Sequence, residues 1–359
     1  MRPAVVAITK GGSELARRLQ DAYPGGVDLY LQKRFITKDD AGARPVGNDL
    51  SALTGRLFRK YRSIAFIMAA GVVVRLIAPH LKDKTADPAV VVLDEGGRFV
   101  VSLLSGHIGG ANALATELAG LIGAKAVITT ASDVRGVPAV DTMAGLLGCA
   151  IEDMKAAKDV TAALVNGEEV ALYSHIDLAY VAERLGPLPD NLKLYTSIDD
   201  LLWADRAASV VITPNVLPED ELARLGRAVF LRPKVLVVGM GCNRGTSQRE
   251  LAGLVGRVFR ARGLSPLSIR NIATIEDKRD EAGMLGFAAR RGLPVTYYTK
   301  TKLSHGPTPS GRSEAVFRNM GVYGVCEPAA LISAGAKKLL VPKTKSKNTT
   351  VAVAEAALP

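Results

Sequence analysis

The stretch Val235-Leu-Val-Val-Gly-Met-Gly-Cys-Asn-Arg-Gly245 contains an apolar strand, Val235–Val238, that runs directly into a glycine-rich loop. An amphipathic segment from Ser247 to about Arg262 follows this loop and predicts a helix. A strand, a short loop and a helix in this order form the repeating unit of α/β proteins. This stretch therefore predicts an α/β fold for the part of the chain that contains it.

The same alternation of short apolar runs and longer amphipathic stretches recurs along the chain. Near the start it predicts strands at Ala4–Thr9, Ile64–Ala69 and Ala126–Thr130, and helices at Ala111–Ile122 and from an N-cap at Ser13 to about Tyr23. Weaker patterns predict helices near 152–165 and 178–185 and strands near 169–173 and 209–213.

One segment predicts antiparallel pairing instead. The runs Val90–Leu93 and Phe99–Leu104 flank Asp94-Glu-Gly-Gly97, a turn sequence typical of a β-hairpin. Together the patterns predict a multi-domain α/β protein with mostly parallel sheets flanked by helices and a β-hairpin in the N-terminal part.

The chain length indicates more than one domain. Its 359 residues exceed the roughly 100–200 residues of a usual domain. Composition and charge change near residue 230, and a weaker break falls near residue 135. We therefore expect three domains: an N-terminal α/β domain over residues 1–134, a central one over 135–231 and a C-terminal one over 232–359.

The charge is concentrated at one end of the chain. The whole sequence has 46 basic and 35 acidic residues, a net charge of +11. From Pro233 to the end there are 20 basic and 8 acidic residues, a net of +12, so the last third carries the entire excess. Such a segment predicts an anionic partner: nucleic acid, phosphate or a polycarboxylate.

Composition and cysteine spacing limit the class of protein. The 48% hydrophobic and 23% charged residues are typical of a globular chain. Cys149, Cys242 and Cys326 lie far apart without a CxxC pair, which favours a reducing cytoplasm and predicts no structural metal site. The apolar run after Met1 is too short for a signal peptide, and the run over residues 64–79 is too short for a membrane span.

The loop Gly239–Gly245 admits three interpretations. It precedes a predicted helix, so its backbone amides could bind an anionic group of a ligand. It could instead be a plain tight turn, or it could bind NADP, although its third glycine is one place late for the dinucleotide motif and no acid ends the next predicted strand, near Ser268. Cys242 could be a thiolate nucleophile there, but no histidine lies nearby in sequence to act as its base.

A second candidate site lies in Ser105-Gly-His-Ile-Gly-Gly-Ala-Asn112, between the second hairpin strand and a helix. Its glycines let backbone approach a ligand, and His107 is one of four histidines in the chain. His107 could alternatively cap the helix. Asp87 and Glu95 flank the first hairpin strand and could divide acid and base roles, or simply be solvated.

Two groups of motifs stand out in the first and last predicted domains. The N-terminal motifs are Gly71-Val-Val-Val-Arg-Leu-Ile-Ala-Pro79, Lys82-Asp-Lys84, Asp87–Glu95 and Ser102–Asn112. The C-terminal motifs are Gly239–Thr246, Ile275–Lys278, Ser313-Glu314, Val325–Ala330 and Leu340–Lys345. Together the two groups resemble the CbiG family of cobalt-precorrin-5A hydrolases in anaerobic cobalamin synthesis, whose last domain also occurs alone as the CobE-type protein.

The resemblance implies a hydrolase that acts on a cobalt-bound, ring-contracted tetrapyrrole. Water opens a δ-lactone of cobalt-precorrin-5A, and the methylated bridge carbon leaves as acetaldehyde to give cobalt-precorrin-5B. The conjugated substrate and its cobalt accept the electrons of the broken C–C bond, so no protein-bound cofactor or metal is expected.

On this resemblance we expect His107 to be the general acid or base, with Glu95 or Asp87 orienting it or sharing the proton transfer. Backbone amides around Gly109, Gly110 and Asn112 are expected to stabilise the oxyanion. The remaining expected substrate-binding residues are Lys82, Lys84, Ser105, Gly106, Gly239, Gly241, Cys242, Arg244, Gly245, Thr246, Glu327, Lys343 and Lys345.

The sequence also allows two other functions. The chain could be a non-catalytic carrier or scaffold for corrinoid intermediates or, less readily, an NADP-dependent oxidoreductase. The expected partner is an anionic cobalt-corrinoid, not nucleic acid or a membrane. A homodimer and transient contacts with pathway methyltransferases are left open.

Overall fold

The computed structural model describes residues 2–83, 86–107, 109–129, 137–306, 317 and 323–357. The chain divides into two compact units, Met1–Thr142 and Met143–Pro359, and each is described by itself. In the described part of the chain no helix has the length and apolar character needed to cross a membrane.

The first unit is built on a seven-stranded sheet. Its strands, in chain order, are β1 Ala4–Ala7, β2 Asp28–Gln32, β3 Arg44–Val46, β4 Ser63–Ile67, β5 Ala89–Leu93, β6 Phe99–Leu104 and β7 Lys125–Val127. The spatial order is β3-β2-β1-β4-β5-β6-β7. The first five strands are parallel, whereas β6 is antiparallel to β5 and β7 follows the direction of β6.

Helices cover both faces of this sheet, so its strands are buried and rich in Val, Ile, Leu and Ala. Apolar side chains of α1 and α4 pack on one face, and those of α2 and α3 pack on the other. These helices are α1 Lys10–Ala22, α2 Leu50–Lys60, α3 Ala70–Ile77 and α4 Ala111–Ile122.

The predicted hairpin is confirmed, because β5 and β6 pair antiparallel across the turn at Asp94 to Gly97. The Asp94 carboxylate accepts hydrogen bonds from the backbone N–H groups of Arg98 (2.9 Å) and Phe99 (2.7 Å), and Gly97 has a φ of +64°. A side chain that bonds the following backbone is one reason why Asp favours turns.

The expected N-cap of α1 at Ser13 is wrong. The helix begins at Lys10 and Thr9 is its N-cap, with Oγ1 accepting a hydrogen bond from the Gly12 N–H at 3.1 Å. The two glycines lie in the first turn because Gly11 packs against the Glu95 carboxylate and Gly12 against Ile67. The strand expected at Ala126–Thr130 runs from Lys125 to Val127, and Thr130 lies outside the described residues.

The second unit contains two five-stranded sheets. The strands of the central sheet are β8 Cys149–Ile151, β9 Val170–Ser174, β10 Leu192–Tyr195, β11 Ala208–Ile212 and β12 Ala228–Pro233, in the spatial order β10-β9-β11-β12-β8 with β8 antiparallel. The helices from α5 to α9 are Val140–Leu146 (which begins in the first unit), Met154–Val165, Leu178–Leu185, Ile198–Trp203 and Glu219–Leu225.

The C-terminal sheet has the order β15-β14-β13-β17-β16. Its strands are β13 Leu236–Cys242, β14 Ile269–Ile275, β15 Val295–Tyr298, β16 Val341–Lys345 and β17 Thr349–Glu355. α10 and α11 pack on one face and α12 and α13 on the other; these helices are Gln248–Ala261, Ala282–Arg291, Lys300–Ser304 and Cys326–Ala334.

β13 is longer than its apolar run predicted. It extends through Cys242 because every residue from Leu236 to Cys242 pairs with β17, so half of the predicted glycine-rich loop is strand. Close packing explains why residue 239 is a glycine, since a Cβ atom there would overlap the Cys326 carbonyl oxygen at the start of α13.

β16 contains a bulge. Val341 pairs with Val353 and Thr344 with Val351, so three steps along β16 match two steps along β17. Val341 therefore faces the core formed with α10, whereas Lys345 pairs with Thr350 on the opposite face.

Candidate functional site

Backbone hydrogen bonds within the loop between β6 and α4 hold this loop in its conformation. The carbonyl oxygens of Ser105 and Gly106 accept hydrogen bonds from the N–H groups of Ala111 and Asn112, both at 3.0 Å, and His107 O accepts one from Gly110 N at 2.9 Å. Ser105 has a φ of +58°, the one positive value among the non-glycine residues described. The loop is thus a compact turn that leads directly into the helix.

Two of the loop glycines are required by close packing. A Cβ atom at Gly109 would overlap Ser105, and one at Gly106 would lie 2.8 Å from Asn112 Oδ1. That Asn112 oxygen accepts a hydrogen bond from the Ser102 hydroxyl at 2.6 Å. The Asn112 side chain therefore ties the start of α4 to strand β6.

His107 lies beside a carboxylate that sequence reasoning missed. Its Nδ1 is 3.9 Å from Asp141 Oδ1, and the two side chains are 17% and 11% exposed. Asp141 lies in the first turn of α5, and its Oδ1 also accepts a hydrogen bond from Thr142 N at 2.9 Å. An acid at the start of a helix was visible in the sequence, but nothing there linked it to a histidine more than thirty residues earlier.

Asp87 lies at the same end of the sheet as His107. Its two carboxylate oxygens accept hydrogen bonds from the Lys82 N–H at 3.0 and 3.1 Å, and its carbonyl oxygen accepts one from Ser105 Oγ at 3.2 Å. The structure therefore brings Lys82, Asp87, Ser105 and His107 together. Lys84, also expected to bind substrate, lies outside the described residues.

Glu95 does not belong to this group, and its expected share in proton transfer is wrong. It follows the carboxyl end of β5, where its side chain lies against Gly11, whereas β6 runs back so that Val90 pairs with Leu104. His107 is therefore at the opposite end of the strand pair. The five residues of β5 alone separate the two ends by roughly 13 Å.

The expected oxyanion donors are mostly engaged. The Gly110 N–H donates to His107 O and the Asn112 N–H to Gly106 O. Both amides hold the turn together, so they are not available to stabilise a developing negative charge.

A cavity of about 740 Å³ lies at the carboxyl ends of β13 and β14 in the second unit. The carboxyl edge of a sheet is where open α/β folds usually bind ligands. The expected residues that line this cavity are Gly241, Cys242, Arg244, Lys343 and Lys345. Lys278 and Lys347, which were not expected, line it as well.

The other expected residues of this region hold the surrounding structure in place. The Gly245 N–H donates to Glu281 Oε1 at 2.8 Å, and the Thr246 N–H donates to Asn243 O at 3.3 Å. Buried Glu327 accepts a hydrogen bond from the Lys343 N–H at 3.0 Å. The predicted amide-lined anion loop is thus wrong in part, because an internal carboxylate already occupies the Gly245 amide.

The geometry does not favour a thiolate at Cys242. Burial raises the pKa of this thiol, although nearby Lys278 opposes the effect. The residue is at the end of β13 rather than at a helix N-terminus, because α10 begins only at Gln248, with Ser247 as its N-cap. Cys242 therefore lines the cavity, and its position does not favour a role as a nucleophile.

The expectation that no acid follows the next strand is wrong. Ser268 precedes β14, which ends at Ile275 and is followed by Glu276 and Asp277. Asp277 forms an ion pair with Lys300 at 3.0 Å. The spacing of the glycines and the occupied Gly245 amide still depart from a dinucleotide-binding motif.

Comparison with known proteins gives matches along most of the chain. Three family models match in order: Cobalamin synthesis G N-terminal over residues 52–133, Cobalamin biosynthesis central region over 138–233 and Cobalamin synthesis G C-terminus over 236–354. The chain is 40% identical over 353 residues to a cobalt-precorrin-5A hydrolase of Priestia megaterium, covering 98% of this chain and 94% of that protein.

Two further relatives extend this finding. A cobalt-precorrin-5A hydrolase of Salmonella typhimurium is 34% identical over 97% of this chain and 96% of its own length. The Protein CobE of a Sinorhizobium species is 33% identical over 121 residues, which are 33% of this chain and 79% of that protein. With its N-terminal, central and C-terminal regions all matched, the chain belongs to the CbiG family of cobalamin biosynthesis.

Proposed function

We propose that this protein is a cobalt-precorrin-5A hydrolase, which opens the δ-lactone of its substrate and releases acetaldehyde to give cobalt-precorrin-5B. The single observation that carries the residue assignment is the pair formed by His107 and Asp141. The reaction class is supported by the two cobalt-precorrin-5A hydrolases that match the chain over nearly their whole lengths.

The first step uses His107 as a general base. The imidazole accepts a proton from water, the water oxygen adds to the lactone carbonyl, and the lactone C–O bond breaks to leave a carboxylic acid, which then loses its proton to solvent. The imidazolium then returns its proton to the alkoxide that leaves. Asp141 faces Nδ1, so its charge stabilises the imidazolium while Nε2, on the other edge of the ring, exchanges the proton.

The second step breaks a C–C bond. The new hydroxyl group loses its proton and its carbon becomes the carbonyl of acetaldehyde. The electron pair of the broken bond passes into the conjugated macrocycle, which carries its own cobalt. The substrate is thus the electron acceptor of this step.

The C-terminal cavity is proposed to bind acidic side chains of the macrocycle. Lys343, Lys345, Lys347 and Arg244 contribute positive charge to its wall, and Arg244 also pairs with Asp280 at 2.7 Å. Cationic groups bind carboxylates through charge-assisted hydrogen bonds. The three cysteines are free where they are described, which fits the predicted cytoplasmic location.

The test is acetaldehyde release from purified cobalt-precorrin-5A. We expect His107→Asn to lower kcat by roughly 10²- to 10⁴-fold, the usual contribution of general acid–base catalysis. His305→Asn is the matched control, because His305 is an exposed residue at the end of α12 whose ring bonds Thr301 O.

Two outcomes would contradict the proposal. Near-normal acetaldehyde release by His107→Asn would remove His107 from the mechanism. Tight binding of the substrate by the wild-type protein without any turnover would indicate the carrier function instead.

A further inference from the structure

Lys278 is a buried lysine on the wall of the C-terminal cavity. It ends the short turn Glu276–Lys278 after β14, and its side chain is 5% exposed. Its Nζ lies 3.4 Å from Oε2 of Glu281, whose side chain is 4% exposed. Buried lysines are rare, and those that remain charged are paired or hydrogen-bonded.

The described residues do not fill the hydrogen-bonding capacity of Lys278. An ammonium group has three N–H donors, and within the residues the structure describes Glu281 Oε2 is its one acceptor, at a long distance. Burying the remaining donors without acceptors is unfavourable. An acceptor that enters the cavity would satisfy them.

Glu281 is held in place and cannot follow such a ligand. Its other oxygen, Oε1, accepts the Gly245 N–H at 2.8 Å, so the carboxylate is fixed between the loop after β13 and Lys278. Glu281, which is not among the described residues that line the cavity, therefore holds Lys278 in position.

The rest of the wall favours an anion. Among the described residues Lys343, Lys345 and Lys347 form no ion pair, and the acid that lines the cavity, Asp277, pairs with Lys300. Positive charge in a recessed site with neutralised acids attracts a carboxylate.

We propose that Lys278 is the specificity-determining residue of this cavity, where it binds one carboxylate of the ligand and rejects a ligand with a neutral amide or ester at that position. A buried group that needs a charged acceptor discriminates strongly against an analogue that lacks one. The identity of the ligand as a corrinoid rests on the proposed function, whereas carboxylate binding at Lys278 does not.

The experiment is an absorbance titration of the full-length protein with uroporphyrin, a tetrapyrrole with eight carboxylates. We expect Lys278→Met to weaken binding at least tenfold. Because this variant leaves Glu281 buried without its partner, the double variant Lys278→Met/Glu281→Gln is titrated as well and should lose the same affinity. Lys338→Met, at an exposed lysine outside the cavity, should bind as wild type does.

A second measurement uses the unmodified sequence. Reductive methylation of Lys278, followed by mass spectrometry, should be slowed by saturating uroporphyrin, while methylation of Lys338 should not change. Binding within twofold of wild type in the double variant, or an unchanged methylation rate at Lys278, would overturn the proposal.

The two proposals fail separately. Lys278-dependent binding without acetaldehyde release would contradict the proposed function alone. His107-dependent turnover with binding that ignores Lys278 would contradict this inference alone.

Discussion

His107 and Asp141 are separated by 3.9 Å, more than the roughly 2.7–3.2 Å of a hydrogen bond. We therefore propose that Asp141 acts on the ring through its charge, as a positioning residue. Both side chains are largely buried, so solvent screens this interaction less than it would at the surface.

Replacing Asp141 with asparagine tests this role. The substitution keeps an oxygen for the bond from Thr142 N but removes the charge, so we expect kcat to fall about tenfold with KM unchanged. Steady-state acetaldehyde release measures both constants, and Asp141→Glu should restore part of kcat. An equal fall in both Asp141 variants together with a lower Tm would indicate a structural role only.

At the scale of elements, the direction of β6 decides which residues share a site. Because β6 is antiparallel to β5, its carboxyl end lies at the amino end of β4 and β5, where Asp87 is found. Glu95, at the hairpin turn, therefore lies at the opposite, carboxyl end of β5. The position of Glu95 beside the hairpin in the sequence therefore did not place it near His107 in the structure.

The positions of Glu95 and Asp87 predict opposite effects when each carboxylate is replaced. We expect Glu95→Gln to keep kcat within about twofold of wild type, since Glu95 lies far from His107. Asp87→Ala should lower Tm and kcat, because it removes both acceptors of the Lys82 N–H next to the Ser105 turn. Thermal unfolding and acetaldehyde release on the same preparations distinguish the two, and a large loss of kcat in Glu95→Gln would be incompatible with this assignment.

Local sequence signals predicted the elements that local chemistry controls. The hairpin at Asp94 and the helix Ala111–Ile122 were both predicted, because turn residues and apolar spacing act over a few positions. The extent of β13 was not, because it depends on pairing with β17 more than a hundred residues later. The proximity of Asp141 to His107 was missed for the same reason, because tertiary folding brings together two segments that are far apart in the sequence.

At the scale of the whole molecule, an ion pair joins the central and C-terminal sheets of the second unit. His175, directly after β9, has its Nε2 2.8 Å from Oε1 of Glu355, the last residue of β17. The two residues line a cavity of about 590 Å³ together with Asp177, Tyr180 and Val235. The hydrogen bond that His175 donates to the Glu355 carboxylate raises the pKa of His175, and burial opposes part of this effect.

The raised pKa of His175 predicts a pH-dependent stability. Folding favours the protonated ring, so the contribution is complete below the ordinary value of 6.5 and is lost as pH rises through the higher value of the folded state. We expect the Tm difference between wild type and His175→Gln to be largest near pH 6 and to shrink toward pH 9. Thermal unfolding across this range measures it, and a difference independent of pH would refute the assignment.

The bulge in β16 has a consequence for how this region tolerates insertions and deletions. Side chains alternate along a strand, so the extra residue at Pro342 and Lys343 sets the phase of all that follow it. Deleting Pro342 would remove the bulge and leave Lys345 paired with Thr350, whereas deleting Thr344, beyond the bulge, would place Lys345 opposite Val351 and toward the apolar interior, with every lysine still present in the sequence. The positive charge of the cavity wall thus depends on which face of β16 each lysine occupies, as much as on the number of lysines in the sequence.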